Sequence, residues 1–289
     1  MKPILYTTFA LVAFAFNSVL CRLALRGDEA DAAGFTVVRL AAGAVALCLI
    51  WYVVSARRDA LTTVRASAIT GTWLSALFLF SYAVCFSFAY LNLTAATGAL
   101  VLFGSVQMSM IAIALGKGER PTLFERCGLF VAVAGLVYLV LPGLEAPPII
   151  SSLLMAAAGM SWAIYSHRGK STADAIADTT GNFVRTLPFA AILAVIFYPN
   201  LNLTPRGVVI AVISGAITSG VGYVFWYAAL KYHSSTRAAV LQLAVPVIAA
   251  VIAIIWLGES MSATLVIASA MILGGIGLTI VGKKTLART

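Results

Sequence analysis

The sequence predicts an all-α integral membrane protein whose ten transmembrane helices form two inverted five-helix repeats. Three observations carry that reading. Of the 289 residues, 62% are hydrophobic and only 10% are charged, with a mean hydropathy of +1.01, whereas a soluble domain averages about 45–50% apolar and 25% charged residues. Long uncharged runs recur along the whole chain, each about as long as a helix needs to cross roughly 30 Å of hydrocarbon. The second half also repeats the first.

The runs can be taken in order. The first, 3–25, is long for a signal peptide, carries Arg22 and has no small-residue cleavage site, so it reads as a retained helix. The second, 34–55, follows the turn RGDEADAAG and contains Arg39. SARRDA leads to the third, 67–91, where Phe78, Tyr82 and Phe86 stand four residues apart and share a face. The fourth, 94–115, has Gln107 near its middle. After GKGERPT the fifth, 123–141, carries Gly128, Ala132 and Gly135 as a small-residue stripe, suited to close packing within or between chains. LPGLEAPP precedes the sixth, 149–168, with Trp162 and Tyr165. The seventh, 179–198, is interrupted by Arg185 and Pro188. YPNLNLTPRG leads to the eighth, 207–230. The ninth, 236–257, and the tenth, 263–282, are separated by LGESMS. The joints leave no room for a soluble domain. Because lipid offers backbone amides no hydrogen bonds, apolar runs of this length must be helices rather than barrel strands.

Lys and Arg collect in cytoplasmic loops, and that bias sets orientation. With both ends inside, fourteen of the nineteen basic residues face the cytoplasm: Lys2, Arg57, Arg58, Arg65, Lys117, Arg120, Arg126, Arg168, Lys170, Lys231, Arg237, Lys283, Lys284 and Arg288. This places the chain in a cell (inner) membrane with cytoplasmic N- and C-termini. The net charge of +9 is spread over these loops and forms no stripe for a nucleic acid. Cys21, Cys48, Cys85 and Cys127 fall in or beside helices at spacings that suit neither a disulfide framework nor a zinc site.

The repeat appears when the numbering is shifted by 140. Ala89 to Thr122 then lies on Ala229 to Ser262 without a gap, with Gly118-Glu119 on Gly258-Glu259 and Gly135 on Gly275. A shift of 146 places Val38-Arg39 on Val184-Arg185. Residues 1–145 and 146–289 thus form two five-helix units. Five is odd, so the second enters the membrane from the opposite side, a common plan of secondary transporters whose site lies between the repeats.

Residues 220–284 resemble the second EamA repeat of the drug/metabolite transporter superfamily. The resemblance rests on Tyr223, Ala228-Ala229-Leu230-Lys231-Tyr232, Pro246, Gly258-Glu259 and Gly274-Gly275, with Arg39 and Gly118-Glu119 in the first half. Phe14-Ala15 stands where the family commonly has Trp-Gly, and Val106 where a proline would often stand. As a whole the chain looks most like the YddG-type amino-acid exporters. The resemblance implies a ten-helix carrier for aromatic amino acids and related metabolites, with both termini in the cytoplasm.

The candidate site residues are those that hydrocarbon should not tolerate without a partner. Pro246 has no amide hydrogen and frees the carbonyl of Gln242, which also carries a side-chain amide. That pair suits either a packing kink bonded to a neighbouring helix or the lining of a cavity. Gln107 lies within one residue of the repeat-equivalent of Pro246. Tyr223, Trp226, Tyr227 and Leu230 share one face of the eighth helix, while Gly215, Ser219 and Gly222 form a small-residue stripe on it. With Tyr82, Phe86, Trp162, Tyr165 and Asn17, which roughly matches Tyr165 by repeat, these aromatics would wall a central substrate cavity floored by amides. Trp51, Tyr52, Tyr198, Tyr232 and Tyr6 belong instead to interfacial belts. Arg39 and Arg185 are repeat-related and lie inside their helices. Each can pair with a substrate carboxylate, snorkel to the interface or cap a loop.

All ten acidic residues fall in loops or at helix ends, so the expected transport, by alternating access, has no obligatory ion coupling. A membrane-embedded enzyme would need a catalytic constellation. The two histidines, His167 and His233, lie far apart in sequence, with no HExxH or clustered acidic motif and no cofactor or metal signature. A structural subunit would not need an inverted repeat with polar mid-span positions, whereas a channel remains compatible with the sequence. Nucleotide sugars and drugs are the competing substrates, though a bulky anionic nucleotide would call for more basic residues along the path. The partners expected are the lipid bilayer and a small-molecule substrate, and ten helices with an internal dyad suffice as a monomer.

Overall fold

The computed structural model describes residues 2–61, 68–116, 123–140, 147–170, 172–232, 241–242 and 244–286. Gly118-Glu119, Arg65, Lys117, Arg120, His233, Arg237, Arg288 and the repeat boundary at 145–146 lie outside the described residues. The helices are α1 (Lys2–Arg26), α2 (Ala32–Leu61), α3 (Trp73–Ala89), α4 (Ala95–Gly116), α5 (Leu123–Val140), α6 (Ile149–Gly169), α7 (Ala175–Phe197), α8 (Pro205–Leu230), α9 (Ala244–Leu257) and α10 (Ala263–Leu286). Among the described residues the only bridge of β type is an isolated one between Ala30 and Leu203.

Among the described residues, five segments are long and apolar enough to cross a membrane: Pro3–Arg26, Ala32–Arg57, Ile149–Gly169, Ala175–Asn200 and Pro205–Leu230. Shorter apolar segments, such as the 17 residues of α3, accompany them; at 1.5 Å per residue α3 rises about 25 Å. The outer faces carry exposed Leu49, Phe130, Ile192, Val195 and Ile255, as expected where the solvent is lipid rather than water.

Local chemistry sets the helix ends. Asp174 caps α7 by accepting from the Ile176 and Ala177 amides at 3.0 and 3.1 Å, and Thr204 caps α8 by accepting from Gly207 N–H at 3.0 Å, with Pro205 at the first helical position. Several boundaries differ from the hydropathy reading, among them the start of α7, at Ala175 rather than 179 behind its Asp174 cap, and the end of α10, at Leu286 rather than 282. α2 runs on to Leu61, past 55. α3 starts at Trp73, not 67, because Gly71 takes a left-handed φ of +89° and Thr72 then caps the helix by accepting from Ser75 N–H at 3.1 Å. Pro188 is carried inside α7 without ending it.

α8 is not uniformly α-helical. Ser214–Val221 form a π-helix between Pro205–Ile213 and Gly222–Leu230, a local widening that is rare and is frequent at functional sites. Gly215 permits it to press against α2, since a Cβ there would run into the Arg39 carbonyl.

The packing has a regular plan. α5 packs on α10, α2 on α7, and α4 on α9; α3 packs on α6 as α1 does on α8, α4 on α6 as α1 does on α9, and α3 on α7 as α2 does on α8. Exchanging α1–α5 for α6–α10 maps α5–α10, α2–α7 and α4–α9 onto themselves and each of the other pairs onto its counterpart. The small-residue stripe of α5 meets α10 within the chain: a Cβ on Gly275 would lie 2.5 Å from the Gly128 carbonyl, and one on Gly135 2.8 Å from the Met271 Cβ.

Candidate functional site

An aromatic cavity lies where α1, α3, α4, α6 and α8 converge. Tyr82 and Phe86 of α3 form one side, Phe14 of α1 and Tyr223 of α8 another, Trp162 of α6 a third, and Leu102 and Phe103 of α4 complete it. The rings leave room between them for on the order of one water, so side chains must part before a solute enters.

Ring packing builds these walls. The Trp162 ring centroid is 4.6 Å from that of Tyr223, 5.2 Å from Tyr82 and 5.6 Å from Phe14. Tilted and edge-on pairs at such distances satisfy the ring quadrupoles. The indole Nε1 of Trp162 is buried with no hydrogen-bond partner among the described residues.

Behind the Tyr82–Phe86 side lies Arg39, which is only 1% exposed. Its Nε donates to Ser219 Oγ at 3.1 Å, and its Nη2 donates to the hydroxyls of Tyr82 and Tyr223, both at 3.3 Å. The guanidinium carbon sits 4.9 Å from the Phe86 ring centroid and 5.4 Å from that of Tyr82. Nη1 is buried and unpartnered among the described residues. The π-helix of α8 brings Ser219 within reach of Arg39 Nε.

A polar chain continues from there into α1. Asn17 donates through Nδ2 to the Tyr82 hydroxyl at 3.2 Å, and its Oδ1 accepts from Ser214 Oγ at 2.6 Å and Thr218 Oγ1 at 3.3 Å. Both hydroxyls belong to the π-helix. The group thus ties α1, α2, α3 and α8 together.

Of the cavity residues expected from the sequence, Tyr82, Phe86, Trp162 and Tyr223 stand at the walls. Asn17 sits just behind them. Trp226, Tyr165 and Tyr227 form an outer layer, with Trp226 edge-on to Phe14, Tyr165 tilted against Trp162, and Tyr227 edge-on to Tyr165. The amides do not form a floor. Gln107 is buried outside the walls, and Gln242 is buried on the approach to α9 with neither amide atom partnered among the described residues. Pro246 is buried within α9. Phe14, Leu102 and Phe103 were not expected. Phe14 had one signal, its place in the position where relatives carry an aromatic-glycine pair, whereas Leu102 and Phe103 are indistinguishable by type from lipid-facing residues.

The two arginines that the sequence sets at matching positions diverge. Arg185 lies away from the cavity, where its Nη1 donates to the carbonyls of Thr70 at 2.7 Å and Gly181 at 2.9 Å, tying α7 to the segment before α3. It caps a loop, while Arg39 is buried and neither snorkels nor caps.

Comparison with known proteins adds the following. Residues 149–281 match the model of the EamA-like transporter family. The chain is 42% identical over 277 residues to an uncharacterized protein of Pseudomonas aeruginosa, covering 96% of this chain and 94% of that one. It is 27% identical over 271 residues to a Streptantibioticus cattleyicolor protein named "Probable terminal-alkyne amino-acid exporter", covering 90% and 87%. An uncharacterized transporter of Archaeoglobus fulgidus is 28% identical over 220 residues, covering 71% and 75%. A crystal structure 20% identical in sequence shares the fold, with a TM-score of 0.65 over 99% of this chain and 98% of that one.

Proposed function

Because this chain belongs to the EamA-like transporter family, and is therefore a multi-pass membrane transporter rather than an enzyme, we propose that it exports amino acids, aromatic ones included, and related small metabolites. The single observation that carries the reading is the aromatic cavity enclosed between α1, α3, α4, α6 and α8, with one buried cation behind its wall. Flat rings grip planar or aliphatic groups, and a few convergent polar groups fix orientation. The name of the Streptantibioticus relative supports an amino acid as solute, and the mid-span aromatics support an aromatic one.

The packing plan supports alternating access. Pairings that exchange when α1–α5 replace α6–α10 support two inverted repeats, 1–145 and 146–289, rocking about a shared site. The closed cavity is then an occluded stage of that cycle. The basic loops favour a cell (inner) membrane, with both termini cytoplasmic. A monomer suffices, since the packing plan closes within one chain. The walls' lack of carboxylates favours transport without obligatory ion coupling.

The test is uptake of radiolabelled amino acids into proteoliposomes of the purified protein. Saturable uptake supports the reading; uptake of a nucleotide sugar or a cationic drug in place of amino acids would replace it.

A further inference from the structure

We propose that Arg39 is the carboxylate-binding group of the transport site, so that the preferred solute is a monocarboxylate with an apolar or aromatic body. The inference rests on the cavity being the transport site.

Among the described residues the charge of Arg39 has no counterion. A guanidinium keeps its proton in proteins, and a buried charge is costly unless paired. Here the partners are all neutral: one serine hydroxyl, two phenols and two aromatic faces. No carboxylate of the described residues forms an ion pair with it. Neutral hydrogen bonds and ring faces offset only part of the desolvation. Nη1 is buried with no hydrogen-bond partner among the described residues.

Its position completes the argument. Three groups that hold or cover Arg39, those of Tyr82, Phe86 and Tyr223, are also walls of the cavity. Rotation of the Tyr82 and Phe86 rings would uncover the fork toward a solute whose body lies on Trp162 and Phe14. The planar guanidinium can then meet a carboxylate with two parallel N–H donors. Arg185 does not supply a second anchor, because its Nη1 is committed to the backbone carbonyls of Thr70 and Gly181, neither of which lines the cavity. One cation on one side fits one carboxylate, and a phosphate or dicarboxylate would leave charge unpaired among rings.

The experiment compares phenylalanine with phenylalaninamide, which keeps the ring and the ammonium but lacks the carboxylate, in proteoliposomes of wild type, Arg39→Gln, Arg39→Lys and Arg185→Gln. Wild type is expected to prefer phenylalanine. Loss of a charge-assisted, forked contact should lower phenylalanine kcat/KM in Arg39→Gln by roughly 10- to 100-fold, leave the amide nearly unchanged, and give an intermediate value in Arg39→Lys. Arg185→Gln should keep the wild-type preference. Equal loss of both solutes in folded Arg39→Gln, or equal uptake of both by wild type, overturns the anchor while leaving the cavity reading intact. Uptake of neither solute by active wild type that carries another class overturns the cavity's substrate reading instead. A variant-free measurement covers the case in which Arg39→Gln does not fold: inhibition of wild-type phenylalanine uptake by 3-phenylpropionate but not by phenethylamine supports the anchor, and the reverse order contradicts it.

Discussion

Arg22 and Glu259 meet across one end of the bundle, with Nε and Oε1 3.8 Å apart. Both Glu259 oxygens also accept from the Ala95 amide at 3.0 and 2.9 Å, placing the carboxylate at the N-terminus of α4, and Arg22 Nη1 donates to the Tyr90 and Leu91 carbonyls at 2.9 and 3.1 Å. This joins α1, the α3–α4 turn and the α9–α10 connection. An anion on a helix N-terminus is favoured by the unsatisfied amides and the dipole. Glu259→Ala is expected to lower stability by about 1–2 kcal/mol, with Glu259→Gln losing less. An unchanged unfolding midpoint of the purified protein in Glu259→Ala would count against the tie.

Asn17 holds the polar chain between α1, α3 and α8. Asn17→Ala leaves the Ser214 hydroxyl without its acceptor and the Tyr82 hydroxyl without one of its donors in a buried place, whereas Thr218 keeps its bond to the Ser214 carbonyl, and is expected to cost about 1–3 kcal/mol. Because Tyr82 also receives Arg39 Nη2, uptake should fall in protein that remains folded. Thermal unfolding and uptake measured together check this; full uptake with wild-type stability would contradict it.

Gly215→Val places a branched side chain against the Arg39 carbonyl. Overpacking of this kind costs about 1–3 kcal/mol, and here it must push α8 from α2. Reduced yield with impaired uptake is the expected result, whereas Gly274→Val, whose Cβ would meet nothing within 4 Å, should fold normally.

Proton coupling is expected to be absent. The carboxylates with described side chains, Asp28, Glu29, Asp31, Asp174, Asp178 and Glu259, sit in connections or near helix ends, and none lines the cavity. Without a titrating group on the path, initial uptake at inside-acid and inside-alkaline gradients should agree within about twofold. A substrate-dependent proton flux in liposomes would refute this.

How much of this was legible in the sequence depends on what constrains each residue. Lipid imposes length and apolarity, so the helices could be read from hydropathy, but their ends are set by single caps: Thr72 and Gly71 displaced the start of α3 by several residues from the hydropathy edge. Tyr82, Trp162 and Tyr223 were visible because mid-span aromatics with polar tips need partners, and Phe86 because it shares a helix face with Tyr82 four residues before it. Leu102 and Phe103 carry no such mark. Polarity alone misplaced Gln107 and Gln242, which are buried but are not walls of the cavity. Nor could spacing separate Arg39 from Arg185, since an arginine's reach allows burial, snorkelling or capping from the same register. The π-helix of α8 had no hydropathy signature at all, because it rearranges backbone hydrogen bonds without changing which residues are apolar.

The central claim is that the aromatic cavity carries the solute, and the most direct test compares amino-acid uptake by wild type, Trp162→Ala and Trp256→Ala in proteoliposomes. Trp162 is a cavity wall, whereas Trp256 is 64% exposed on the outer face, stacked on Phe16. The cavity account predicts that Trp162→Ala raises KM or abolishes saturable uptake while Trp256→Ala transports as wild type does. Wild-type kinetics in folded Trp162→Ala would contradict it.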